Sequence, residues 1–121
     1  VTQKRLQFGR EGESAAIAFL KKKGYRILEK NFRSKVGEID IIAEQAGVIV
    51  FVEVKARSSH DFGHPLYALT PAKQKKIIQT AQTFLAQKRI RDRPMRFDVV
   101  ALTSDPSGSW ETELVVNAFQ V

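Results

Sequence analysis

Cysteine is missing from this chain altogether, which excludes disulfides and thiolate-rich zinc sites. No apolar run reaches the roughly 18 residues that a membrane-spanning helix needs. Histidine is scarce. His60 and His64 stand four apart with Asp61 between them, but in a Gly- and Pro-containing stretch where no common face is assured. A metal site there is not expected. Internal repeats, low-complexity tails and long linkers are also lacking. Val1 to Arg5 lead into a polar helix pattern rather than a signal-peptide core, and with the lack of cysteine this fits a cytoplasmic protein. The first residue is valine, not methionine, as in a trimmed or processed chain.

Positive charge is abundant instead. Twenty Lys and Arg against thirteen Asp and Glu leave a net charge of +7. A basic balance favours a polyanionic partner. The cations are spread along the chain, from Lys21 to Arg96, which suits a folded basic face better than a disordered arm. The length of 121 residues fits one domain, residues 1–121, and such a chain buries roughly two-thirds of its unfolded surface.

Apolar residues at three- and four-residue spacing predict a helix from about Phe8 to Lys23, stopped by Gly24. Tyr25 to Phe32 reads as a strand. Glu38 to Ala43 and Val48 to Lys55 read as a hairpin turning near Gly47. Arg57 to Leu69 is loop-like. Thr70-Pro71 marks a second helix, a hydroxyl N-cap followed by proline at the first position, running to about Gln87. Arg96 to Leu102 and Glu113 to Phe119 read as strands around a turn at Asp105 to Gly108. The order α-β-β-β-α-β-β predicts an α/β fold, a mixed sheet flanked by helices.

The hairpin carries the chemistry. Asp40 lies thirteen positions before Glu53, and Lys55 follows two later. Side chains at i and i+2 of a strand share a face, so Glu53 and Lys55 point the same way. A four-residue loop from Glu44 to Gly47 pairs Ala43 with Val48 and makes Asp40 a diagonal neighbour of Glu53, roughly 7–8 Å away on the same face. A two-residue loop with this pairing extended preserves the arrangement, whereas a three-residue loop would flip Asp40 to the other face. Buried charges are costly unless paired or bound to an ion. Two carboxylates suit Mg²⁺ or Mn²⁺, which takes hard oxygen ligands and activates water against a phosphodiester. The nearby lysine suits the attacking water or the charge developing on phosphate. An Asp-Lys or Glu-Lys ion pair at a sheet edge is the plainer reading of the same residues.

Asp40 followed by Glu53-Val54-Lys55 resembles the Asp…Glu-x-Lys signature of the restriction-endonuclease-like nucleases, with Ile39 in place of the proline that often precedes the aspartate. The fuller set is Gly12-Glu13, Gly37-Glu38-Ile39-Asp40, Phe51 to Lys55, Arg57 and Arg96-Phe97-Asp98-Val99-Val100. It resembles the YraN-like bacterial proteins, a small family related to archaeal Holliday junction resolvases. The resemblance runs from about Phe8 to Phe119. It implies a restriction-endonuclease-like fold, metal-holding roles for Asp40 and Glu53, a catalytic role for Lys55 and a supporting ligand in Glu13. It also implies cleavage of DNA, with branched DNA favoured.

Other residues carry weaker expectations. Arg57, Lys73, Gln74 and Lys76 are candidate phosphate contacts, with a solvated helix face as the alternative. Glu38 either assists the site or pairs with Arg33 or Lys35, the pairing being favoured. Arg89, Arg91, Arg93 and Arg96 line a nucleic-acid channel or form an exposed connector. Trp110 reads as packing rather than as a base-stacking platform. A four-way junction needs two symmetric nicks, so that substrate would call for a homodimer. The competing functions are an idle nuclease fold that binds nucleic acid, and an adaptor whose basic face meets an acidic protein.

Overall fold

The structure is a computed structural model that describes residues 3–58 and 65–121, with the side chains of residues 3–7, Pro65 and Tyr67 left aside. The stretch with His60, Asp61 and His64 lies outside the described residues. The elements are α1 (Gln3–Lys22), β1 (Arg26–Arg33), β2 (Glu38–Gln45), β3 (Val48–Arg57), a 3-10 turn (Pro65–Ala68), α2 (Pro71–Gln87), β4 (Met95–Ser104) and β5 (Trp110–Phe119). This is the expected α-β-β-β-α-β-β order. Helix α1 starts five residues before its apolar stripe, because straight-chain Gln3, Lys4, Arg5, Leu6 and Gln7 hold helix readily. It ends where Gly24 takes a positive φ of 88° and the Tyr25 N–H returns to the Leu20 carbonyl. Thr70 caps α2 as expected, its hydroxyl accepting from the Lys73 N–H.

The five strands pair in chain order, with β3 and β4 parallel across the α2 crossover and every other pair antiparallel. A helix covers each face of the sheet. Phe51, Phe97, Phe84, Ile42 and their neighbours form the core under α2, while Leu20, Ala16, Val52, Val100 and Leu102 form the core under α1. Burial on both faces explains why β3 and β4 read as nearly continuous apolar runs rather than alternating ones.

Helix α1 approaches the sheet closely at Gly12. A Cβ there would stand 2.7 Å from the Ala56 Cβ, with no flexible side-chain end to yield. Gly12→Ala is therefore expected to push α1 off β3 and destabilise the fold by about 1–3 kcal/mol. Thermal melts check this, and adding Ala56→Gly should recover most of the loss.

The β2–β3 turn is tighter than the expected four-residue loop. Ala46 (φ 52°) and Gly47 (φ 82°) make a two-residue turn with both residues left-handed, so Gln45 pairs with Val48 and Ala43 with Val50. Such a turn matches the twist of the flanking strands. The register moves by two places and keeps its parity, so a ladder continued past Ile41 and Val52 would set Asp40 opposite Glu53. The second strand gains Glu44 and Gln45.

Candidate functional site

The regular β2–β3 ladder stops at Ile41 and Val52. Asp40 is the first residue beyond it, and its side chain takes over the pairing: Oδ2 accepts the Val54 N–H at 2.8 Å. Alternation breaks at the same point. Ile39 and Ile42 both pack into the α2-side core, whereas Ile41 and Ala43 pack under α1. Asp40 therefore does not simply share a face with Glu53, which corrects the expectation from strict alternation. It borders a cleft on the α1 side with Arg10, Glu13 and Asn31, and Glu53 borders one on the α2 side with Lys55, Lys73 and Lys76. The two carboxyl groups nonetheless lie near enough, just past the last ladder pair, for Asp40 to act on Glu53 electrostatically.

That proximity has an electrostatic signature. Burial, then the charge and hydrogen bond of Asp40, push the Glu53 carboxyl up to about 8, with Lys55 opposing and Glu38 adding to the rise. Lys55 Nζ stands 3.9 Å from Glu53 Oε1, and only 16% of the Glu53 side chain is exposed. Glu53 is thus the carboxyl of the pair that burial and its neighbour hold in the neutral form. The folded state then binds a proton that the unfolded chain releases above its ordinary value of 4.5. Stability from this group should accordingly fall as pH rises from about 4.5 through about 8. Urea denaturation over a pH series checks the slope, which Glu53→Gln should remove.

Glu13 and Asp40 share the α1-side cleft, and Glu13 Oε1 accepts from Asn31 Nδ2 at 3.0 Å. Asn31 is a site residue that reading the strand pattern missed. It sits at φ 54° between Lys30 and Phe32, which pair with Ile41 and Ile39. The available signal was its residue type, since asparagine tolerates the left-handed region inside an otherwise strand-like stretch. Glu38 pairs with Arg33 at 3.2 Å, the favoured alternative, while bordering both clefts.

Of the candidate phosphate contacts, Lys73 and Lys76 face the Glu53–Lys55 cleft. Gln74 instead donates its amide to the Leu69 carbonyl at 2.9 Å, bracing the loop before α2. Arg57 is half-buried at the end of β3, opposite Thr103 of β4. Trp110 packs against Phe8, with ring centroids 5.1 Å apart. The basic connector divides. Arg93 engages Glu44 and the Gly47 carbonyl, tying down the hairpin turn. Arg96 is drawn into a buried network rather than a channel: its Nε donates to Asp98 Oδ1 at 3.0 Å and its Nη2 to Tyr25 and Gln45.

The acid pair suits a divalent cation. A carboxyl whose ionisation is opposed by burial and by a neighbouring acid gains from a 2+ ion, and Mg²⁺ needs few protein ligands because it keeps several waters. Asp40 and Glu53 would hold it, with Glu13 across the α1-side cleft from Asp40. Among the described residues no three His, Asp or Glu side chains gather as a ready-made ligand set.

Residues 12–102 match the profile described as "Uncharacterised protein family UPF0102". The chain belongs to the UPF0102 family. UPF0102 proteins of Pelobacter propionicus and Geotalea daltonii are 45% and 47% identical to it, over 93% of this chain and 82% and 89% of theirs. One from Clostridium botulinum is 45% identical over 93% of this chain and 94% of its own. The UPF0102 match begins at Gly12 and takes in Glu13, Asp40, Glu53, Lys55 and Asp98, so it covers both the acid pair and the buried network. Among the described residues, no helix is long and apolar enough to cross a membrane.

Proposed function

We propose that this UPF0102 protein is a cytoplasmic, Mg²⁺- or Mn²⁺-dependent nuclease with a restriction-endonuclease-like fold, hydrolysing phosphodiester bonds of DNA, with branched DNA favoured. The observation that carries the reading is the Asp40–Glu53 pair, with Lys55 at 3.9 Å from Glu53 in a cleft that also holds Lys73 and Lys76. Carboxylates pressed together at the mouth of a basic cleft destabilise the free protein, and binding alone does not call for them.

The bound metal would supply charge neutralisation and a more acidic water. The chain's own groups account for the rest. Lys73 and Lys76 attract and orient the phosphates. Lys55 donates to the attacking water or to a non-bridging phosphate oxygen as charge develops there. Glu13, braced by Asn31, supports the Asp40 side. A junction substrate calls for two symmetric nicks, which a homodimer supplies.

Calorimetry with Mg²⁺ and Mn²⁺ on wild type and Asp40→Asn, run beside cleavage of labelled junction, flap and duplex DNA, tests this. Asn keeps an acceptor for the Val54 N–H while removing the charge. Wild type should bind metal and cut, and the variant should do neither. DNA binding without metal-dependent cutting would move the reading to the idle-site module.

A further inference from the structure

Two clefts flank the acid pair, one of about 460 Å³ on the α1 side and one of about 320 Å³ on the α2 side, and Glu38 borders both. Each carries its own cations: Arg10 and Arg33 on the first, Lys55, Lys73 and Lys76 on the second. We propose that the α1-side cleft is a second phosphate-binding subsite built on Arg10 and Arg33. A single polynucleotide strand then crosses the splayed end of β2 and β3 with phosphates held on both faces of the sheet. The inference rests on the nucleic-acid reading above and adds to it the strand's path and the residues that fix it.

The geometry supports each part. The clefts adjoin at Glu38, and linked phosphates can engage the cations of both at once. Arg33 already directs its Nε to a carboxylate oxygen of Glu38 at 3.2 Å, so it is aimed at the divide. That ion pair is open to water, with 76% of the Arg33 side chain and 58% of Glu38 exposed, so the fold does not depend on it. A phosphate is an equivalent or better acceptor for the guanidinium fork. Arg10 faces the same cleft one turn before Glu13, on the part of α1 held to β3 by the close approach at Gly12. Three carboxyl groups border this cleft as well, and each has a partner: Glu13 accepts from Asn31, Glu38 pairs with Arg33, and Asp40 accepts from the Val54 N–H. Between the two cation sets, the middle phosphate would lie over Asp40 and Glu53.

The test is binding of a fluorescent oligonucleotide, with chelator present so that nothing is cut, over a series of salt concentrations. Proteins compared are wild type, Arg10→Gln with Arg33→Gln, Lys73→Gln with Lys76→Gln, the combined variant, and Arg10→Lys. Removing one cation from a phosphate should flatten the plot of log affinity against log salt by about 0.7–0.9. The two pairs should flatten it independently, the combined variant by their sum, and Arg10→Lys should keep the wild-type slope. Flattening by the α2-side pair alone would overturn this inference and leave the nuclease reading intact. Failure of wild type to bind would overturn both. Displacement by inorganic phosphate as readily as by unlabelled strand would mean separate anion sites, and would overturn the crossing. Flattening by both pairs in a protein that never cuts would support the crossing and sink only the catalysis.

Discussion

Asp98→Ala is expected to cost about 3–5 kcal/mol, the range for removing one partner of a buried, hydrogen-bonded charge pair. Asp98 is fully buried and accepts from three groups: the Tyr25 hydroxyl at 2.7 Å, Arg96 Nε at 3.0 Å to one oxygen and 3.2 Å to the other, and the Asn117 N–H at 2.9 Å. Burial first, then the bond to Asp98, push the Tyr25 phenol up to about 12, so it acts there as a donor. Alanine would leave the Arg96 charge, the phenol and the strand N–H without their acceptor. Against a typical total stability of about 5–15 kcal/mol, that removes much of the margin. The midpoint of urea denaturation should fall steeply. Asp98→Asn, which keeps an acceptor but loses the charge, should fall less. Asp98 pairs with Val52, so it lies about 10 Å along the sheet from Lys55, opposite which Ala101 sits. Any decrease in cleavage by Asp98→Ala should therefore track the decrease in folded protein. Equal folded fractions with unequal cutting would show that the network reaches the site.

Glu53→Gln should do two opposite things. Metal-dependent cleavage should fall by about 10³-fold or more, because several kcal/mol of charge stabilisation go with the metal and each 1.36 kcal/mol is tenfold in rate. The free protein should meanwhile become more stable at neutral pH and above. Glutamine keeps the size and hydrogen-bonding capacity of glutamate without the ionisation that burial and Asp40 oppose. Denaturation without metal and single-turnover cleavage with metal measure the two effects on one preparation. The opposite signs matter, because a Glu53–Lys55 ion pair kept for structure predicts that the variant loses stability. A drop in stability without metal would count against the site.

The parts of the fold set by local chemistry were readable from the chain. Thr70-Pro71 announced α2, Gly24 closed α1, and the turn region around Gly47 gave the hairpin and its parity. What Asp40 and Asp98 do for the backbone was not legible there, for a common reason. Asp40 and Asp98 each use a side-chain oxygen in place of a ladder partner, on the N–H of Val54 and of Asn117, where the strands go out of step. Periodicity cannot show a side chain standing in for backbone, so the face of Asp40 was misjudged. Arg96 and Asp98 likewise read as ordinary strand and connector residues, because the partners that bury them lie at Tyr25 and Gln45, far off in the chain. Lys73 and Lys76 were identified by residue type, but the cleft they share with Glu53 exists only once α2 lies across the sheet.

Because Ala46 and Gly47 reverse the chain in two residues, the strands that carry the two acids are joined by a very short loop. Hairpins of this kind form in about 1–10 μs. The cationic walls arrive by slower routes: Lys73 and Lys76 with the long crossover to β4, Arg10 and Glu13 with the docking of α1. Contacts of greater sequence separation form later. The hairpin that carries the carboxylate pair is thus expected to close before the walls of its clefts arrive. Refolding rates should rise with Mg²⁺ to the extent that the pair limits hairpin closure.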